Sequence, residues 1–424
     1  MGIRRMWWGE IRAPAALAIL VLSLASTSHG YSVLAHEAIV DSAWSSIEKV
    51  LLKRFPGATP EELKRAHAHA YGGSLIQDMG YYPFSSHFFS DLTHYVRSGD
   101  FLTALLREAR DINEYAFALG ALEHYAADTN GHRMATNPAV AMLYPKLRRK
   151  FGDLITYWDH PVSHVRTEFS FDVLQVAQGR YAPEGYHGFI GFEVSKRVLE
   201  RAFLSTYGLE VKDVLGNTDL AFGSYRRGVS LLIPAVTRVA WSRKQNELKK
   251  NIPGITRDKF LYNLSRASYE KDWGNQYQKP GFLSKLAAFF FRILPKVGPL
   301  AALKFRTPTP EVERMFMASF NVALDNYRGL LEQAAAGTLQ LRNANLDLGR
   351  EARPGEYKGA DEAYARLVRK LAEHDFSGVG PELRQNILAY YAASRPPVEA
   401  RSSTNKRREW EKLEKDVERL KAAR

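Results

Sequence analysis

Ala116-Phe117-Ala118-Leu119-Gly120-Ala121-Leu122-Glu123-His124-Tyr125-Ala126-Ala127-Asp128 is a helix-forming run that carries an imidazole and carboxylates into an apolar segment. Residues four apart on a helix lie roughly 5–6 Å apart on one face, so His124 and Asp128 can aim at one point. Downstream, His164 and Glu168 repeat the spacing. Alone, such a pair is more often a surface ion pair than a ligand pair. Here Phe117–Leu122 is too apolar for a freely solvated helix, and Ala126 and Ala127 are small enough to let neighbouring helices approach. A charge carried into such a helix is costly to bury unless it is paired or metal-bound.

Outward from this run the patterning predicts an all-α protein. Ala35–Leu52, Pro60–Tyr71, Phe101–Glu108, Ile112–Asp128, Gly188–Thr206 and Val312–Ala334 place apolar residues at three-to-four spacing, and alternating strand patterns are scarce. Pro83-Phe84-Ser85-Ser86, Asn130-Gly131 and Ala182-Pro183-Glu184-Gly185 read as turns between helices. His374 is the only histidine after residue 190, so 31–245 reads as the chemical unit. Residues 246–400 form a basic, proline-punctuated helical region of unassigned role, and 401–424 a charged helical tail. In the tail Trp410, Leu413, Val417 and Leu420 follow a coiled-coil-like seam; two heptads alone are marginal, so a frayed, solvated helix is expected.

The chain of 424 residues has 59 Lys and Arg against 46 Asp and Glu, a formal charge of +13 that suits anionic partners. It has no cysteine, which excludes disulfides and thiolate metal sites and leaves histidine, carboxylate and main-chain ligands. Residues 1–30 read as a signal peptide: Arg4, Arg5 and Arg12 precede an apolar run from Ala13 to Ala25, too short for the ~20 residues of a comfortable membrane span. Ser28 and Gly30 suit cleavage before Tyr31, which predicts a periplasmic or secreted protein.

Candidate metal donors fall into five short blocks: Tyr31 to His36; Gln77-Asp78-Met79-Gly80-Tyr81-Tyr82-Pro83; Asp91-Leu92-Thr93-His94-Tyr95; His124 to Asp128 with His132 four further on; and His164-Val165-Arg166-Thr167-Glu168. Zinc favours such histidine and carboxylate donors. Taken in order, the blocks resemble the zinc-dependent phospholipase C family, which is related to single-strand-specific zinc nucleases. The resemblance implies a multi-helical bundle holding two to three Zn2+ ions, with an additional helical C-terminal region in this chain. It implies that Asp78, His94, His124 and Asp128 hold one ion. Tyr31, through its main chain, with His36 and a bridging Asp128 would hold a close neighbour. His132, His164 and Glu168 would hold a third.

The sequence departs from the family pattern in places. Tyr31 stands where the family usually has tryptophan, which is harmless for main-chain ligation. His132 lies unusually close to Asp128, and the Asn130-Gly131 turn is expected to reposition it, with His160 as its substitute. His67, His69 and His87 are expected to be structural or surface residues, and Glu37, directly after His36, is expected to point elsewhere, with an outer-shell role as the alternative.

The function read from the resemblance is zinc-dependent phosphodiester hydrolysis, first as a phospholipase C acting on phospholipid. A metal-activated water would attack, with Asp78 as ligand and candidate general base. Tyr95, Phe88 and Phe89 are candidate apolar walls for a lipid. The alternatives are a zinc-dependent single-strand nuclease or nucleotidase, with Tyr81 and Tyr82 as stacking platforms, and a non-catalytic metal-binding interaction protein. Nucleic acid is the weaker partner. Residues 282–306, with Leu283, Leu286, Phe290 and Leu294 on one face and Lys285, Arg292 and Lys296 on another, form a candidate membrane-surface helix.

Overall fold

The computed structural model describes residues 32–178, 192–229, 304–394 and 403–423, with isolated positions between 241 and 250. The expected export signal, Tyr31, the turn expected at residues 182–185 and the segment before Lys304 read as amphipathic lie outside the described residues. The fold is all-α. Among the described residues no strand forms, and a single antiparallel bridge joins Asn345 to Arg350.

The first helices are α1 (Val33–Arg54), α2 (Pro60–Ser74), α3 (His87–Tyr95), α4 (Ser98–Glu108) and α5 (Ile112–Gly131), with a 3-10 turn at Ile76–Tyr81. Helix α2 begins on a reciprocal cap, Thr59 with Glu62, and Pro60 fills a position that needs no N–H. Helix α5 is buried almost all round, as its composition demands. It crosses α2 at backbone contact. A Cβ on Gly73 would lie 1.9 Å from the Phe117 carbonyl oxygen, and one on Gly120 would lie 2.0 Å from that of Ala70. Only hydrogen fits at either position, and this notch sets the depth at which α5 delivers its polar residues.

Asn130-Gly131 is not a turn. Asn130 donates its side-chain amide to the Ala126 carbonyl oxygen (2.7 Å), and the helix runs on through a π-helical turn, His132–Thr136, into α6 (Asn137–Leu143). With its amide satisfied inside the helix, Asn130 has no call on the turn conformation its type favours elsewhere. Helices α7 (Pro145–Phe151) and α8 (Pro161–Gln178) follow. The helix expected over Gly188–Thr206 is α9 (Lys196–Tyr207), because Phe192–Ser195 is not helical and Glu193 donates its N–H to the Ala68 carbonyl (3.0 Å); residues 188–191 lie outside the described set. Helices α10 (Val211–Leu215) and α11 (Thr218–Arg227) complete this half.

The later helices are α12 (Pro310–Ala336), α13 (Lys358–Glu373), α14 (Pro381–Ala392) and α15 (Thr404–Ala422). The buried core runs across the compositional division at 245/246. Helix α12 inserts Val312, Phe316, Phe320, Ala323, Tyr327 and Leu331 against α1 and α5, and Tyr327 donates its hydroxyl to the Leu119 carbonyl (2.9 Å). The tail is not a solvated helix. Its seam packs on α13 and α14 with Leu413 and Leu420 buried, so tertiary packing supplies what two heptads lack.

Candidate metal centre

The described expected donors come from several separate pieces of this bundle. His36 stands in the first turn of α1, whose start is anchored where the Leu34 N–H donates to Asp172 Oδ2 (3.0 Å) from α8. Asp78 lies in the 3-10 turn, which is stapled to α3 because Ser90 Oγ donates to the Gln77 carbonyl and accepts from the Gly80 N–H (3.0 Å). His94 lies on α3, His124 and Asp128 on α5, and His132 opens the π-helical turn. π turns are frequent at functional sites because the extra residue re-aims a side chain.

Four imidazoles converge on Asp128. Its Oδ1 faces His36 Nε2 at 3.6 Å, and its Oδ2 faces the Nε2 atoms of His124, His94 and His132 at 3.1, 3.5 and 3.5 Å. Asp78 Oδ1 lies 3.4 Å from His94 Nε2, and the Nε2 atoms of His94 and His124 are 3.3 Å apart. Each opposite ring nitrogen is engaged elsewhere. His94 Nδ1 meets the Ser90 carbonyl (2.9 Å), His124 Nδ1 the Ser74 carbonyl (2.9 Å), His36 Nδ1 the Glu123 carboxylate (3.1 Å) and His132 Nδ1 the Asp347 carboxylate (2.9 Å). Hydrogen bonds thus hold Nδ1 of His94, His124 and His36, and Asp347 stands at ion-pair distance from Nδ1 of His132; with the proton on Nδ1 each Nε2 lone pair faces inward, the arrangement that orients metal-ligating histidines.

The donor set fits zinc. At the ~2.0–2.1 Å ligand distance of a tetrahedral site, neighbouring donors lie about 3.3–3.4 Å apart, and the spacings here cluster there. Charge supports the same conclusion. Asp78, Glu123, Asp128, Glu168 and Asp347 are all buried, a concentration of negative charge that neutral imidazoles cannot offset. Burial raises Glu123 well above the usual carboxylate range, and Asp128 and Asp78 push it further. Burial alone would lower His94, but Asp128 and Asp78 outweigh it and raise the ring to about 10. Burial would raise Asp128, yet His124 and His132 hold it well below the ordinary value. The carboxylates thus favour positive charge on His94 and His132.

Among the described residues two three-donor groups form, His36 with His124 and Asp128, and Asp78 with His94 and His124. The third expected set is not closed. The rings of His132 and His164 are 5.0 Å apart, but Glu168 lies against His164 Nδ1 (2.6 Å) on its own helix, and His164 Nε2 meets Asn137 Oδ1 (3.0 Å). His160 does not substitute, since its Nδ1 accepts the Ser163 N–H (3.2 Å).

His67 pairs with Asp41 (2.9 Å) and stacks on Trp44, His69 meets Ser195, and His87 packs edge-on to Tyr81. Glu37 is fully buried, and burial with Asp41 and Asp172 pushes its pKa well up. Phe88, Phe89 and Tyr95 are core residues rather than lipid walls, because α3 is covered from two sides: Phe89 stacks on Phe203 of α9, and Arg366 of α13 lies over Phe88. Tyr81 and Tyr82 are likewise buried and offer no stacking face. Sequence reasoning missed Glu123 and Asp347 as partners of the donor histidines. Glu123 carried a signal, an acid beside His124 in an apolar helix; Asp347 carried none.

The family model described as zinc dependent phospholipase C matches residues 35–217. No curated protein and no solved structure matches the chain. The matched segment contains every described histidine of the cluster, with Asp78 and Asp128, and leaves out Asp347. Residues 35–217 thus match the zinc-dependent phospholipase C family.

Proposed function

We propose that the protein is a phospholipase C that hydrolyses the phosphodiester of a phospholipid. The observation that carries this reading is the convergence of four oriented imidazoles on Asp128 within the segment that matches that family. Bound zinc supplies Lewis acidity, neutralising phosphate oxygens and lowering the pKa of water. Asp128 presents its two oxygens to different histidines and so links the two donor groups. Asp78, on a turn stapled to α3, is the candidate general base. The neighbouring carbonyls and carboxylates hold the imidazoles in one tautomer, so no reorganisation is needed during turnover. The net charge of +13 draws anionic substrates and lipid surfaces. Burial of Tyr81 and Tyr82 weighs against a nuclease reading that would use them for base stacking.

The reading includes export: trimming before Tyr31 would free an α-amino group five residues ahead of His36 and complete that histidine's donor set. Amino-terminal sequencing of exported protein should begin at Tyr31, and a start several residues away would remove that ligand. Purified protein should release diacylglycerol from phosphatidylcholine and lose this activity on chelation, restored by Zn2+. Cleavage of single-stranded DNA in place of lipid would move the assignment to the nuclease branch. Bound zinc with silence on lipid, DNA and a chromogenic phosphodiester would leave a binding protein.

A further inference from the structure

The turn at 345–350 comes from outside the matched family segment, yet it touches the metal centre at two points. The Leu346 N–H donates to the carbonyl of His94 (3.1 Å), and Asp347 Oδ1 faces His132 Nδ1 at 2.9 Å. Asp347 is 1% exposed, so its charge is held by protein groups alone. Its Oδ2 accepts the hydroxyls of Tyr95 (3.1 Å) and Tyr357, and its backbone carbonyl accepts the Asn137 amide (2.9 Å). The turn is itself pinned by the Asn345–Arg350 bridge and by Gly349, whose positive φ of 67° brings it so close that a Cβ would lie 2.3 Å from the Thr129 carbonyl. A buried carboxylate with two hydroxyl donors and one imidazole is a fixed reference point.

We propose that Asp347 is a positioning residue of the metal centre, supplied by the C-terminal half, which takes the His132 Nδ1 proton and turns Nε2 toward Asp128. Asp128 and Asp347 grip the two nitrogens of one ring, so His132 cannot rotate without leaving both. Its neighbour in the sequence, Leu346, fixes the backbone of His94, so one turn sets two of the four converging histidines. The C-terminal region is therefore part of the zinc apparatus rather than an appendage to it.

The proposal rests on the zinc reading, and a zinc titration of full-length protein separates the two. Wild type that binds no zinc sinks that reading, and this proposal with it. In Asp347→Asn the side chain keeps its size and an acceptor for Tyr95 and Tyr357 but loses the carboxylate. It should lower zinc affinity at one site by about 10–100-fold, the usual cost of an outer-shell change, with unaltered helical circular dichroism. The visible spectrum of the Co2+-substituted protein should shift. In a His132→Ala background, Asp347→Asn should cost nothing further. Wild-type affinity and stoichiometry in Asp347→Asn, or a full additional loss in the His132→Ala background, would overturn the proposal and leave the zinc reading intact. Should Asp347→Asn not fold, Tyr357→Phe decides, with weakened zinc binding expected and unchanged binding overturning the role.

Discussion

Asp128 carries two oxygens that face different histidines, one toward His36 and the other toward His94, His124 and His132. No other side chain in the centre meets so many donors, so its loss should exceed the ~10–100-fold cost of an outer-shell change. Asp128→Ala is expected to lose zinc from both donor groups and to abolish hydrolysis, checked by metal analysis beside the lipid assay. Zinc content and turnover at wild-type levels would remove the bridging role. Its pairing with His124 was legible from spacing, because i and i+4 on a helix are neighbours whatever the fold. The contribution of Asp347 was not, since nothing in Leu346-Asp347-Leu348 distinguishes a buried anchor from a loop carboxylate.

At the level of helices, the α2–α5 crossing decides whether His124 finds the Ser74 carbonyl. Gly120→Ala places a methyl group against backbone that has no rotamer by which to yield. It should destabilise the fold by about 3 kcal/mol, the upper part of the usual overpacking cost. Thermal denaturation should show this, together with weaker zinc binding; a melting temperature within a degree of wild type would mean that the helices separate freely.

The non-helical Phe192–Ser195 stretch makes a second, pH-dependent join to α2, where Ser195 Oγ meets His69 Nδ1 (2.8 Å). Burial lowers His69 to about 4, with Arg226 and Arg65 pushing the same way and Asp111 opposing. Between pH 4 and the ordinary value near 6.5 the unfolded chain binds a proton that the native chain refuses. The stabilisation is thus complete above about pH 6.5 and is lost as pH falls toward 4, by up to about 3 kcal/mol. His69→Gln should flatten this part of the stability profile between pH 4.5 and 7, and an unchanged slope relative to wild type would refute the assignment.

For the molecule as a whole, the two compositional halves share one core. Phe316, Phe320, Tyr327 and Leu331 of α12 fill space against α1 and α5, and Tyr327 reaches the backbone of the site helix itself. A chain ending at residue 245 should therefore fail to fold as a soluble unit, judged by solubility and circular dichroism, although it retains the whole family segment. Tyr327→Phe, which removes only the hydroxyl, should cost about 1 kcal/mol. A stable, zinc-binding 1–245 fragment would contradict a shared core.

Helix content, the principal helices and the His124–Asp128 pair were written in local sequence, because hydrophobic period and i to i+4 geometry depend only on near neighbours. The order of the donor blocks added the family and most of the cluster. What depended on distant partners was not written there. Asn130-Gly131 stays helical because its amide finds a carbonyl one turn back, the tail docks because α13 and α14 cover its seam, and Asp347 reaches His132 because α12 brings the second half onto the first. Burial and convergence are properties of the packed chain, and those were decided by tertiary structure alone.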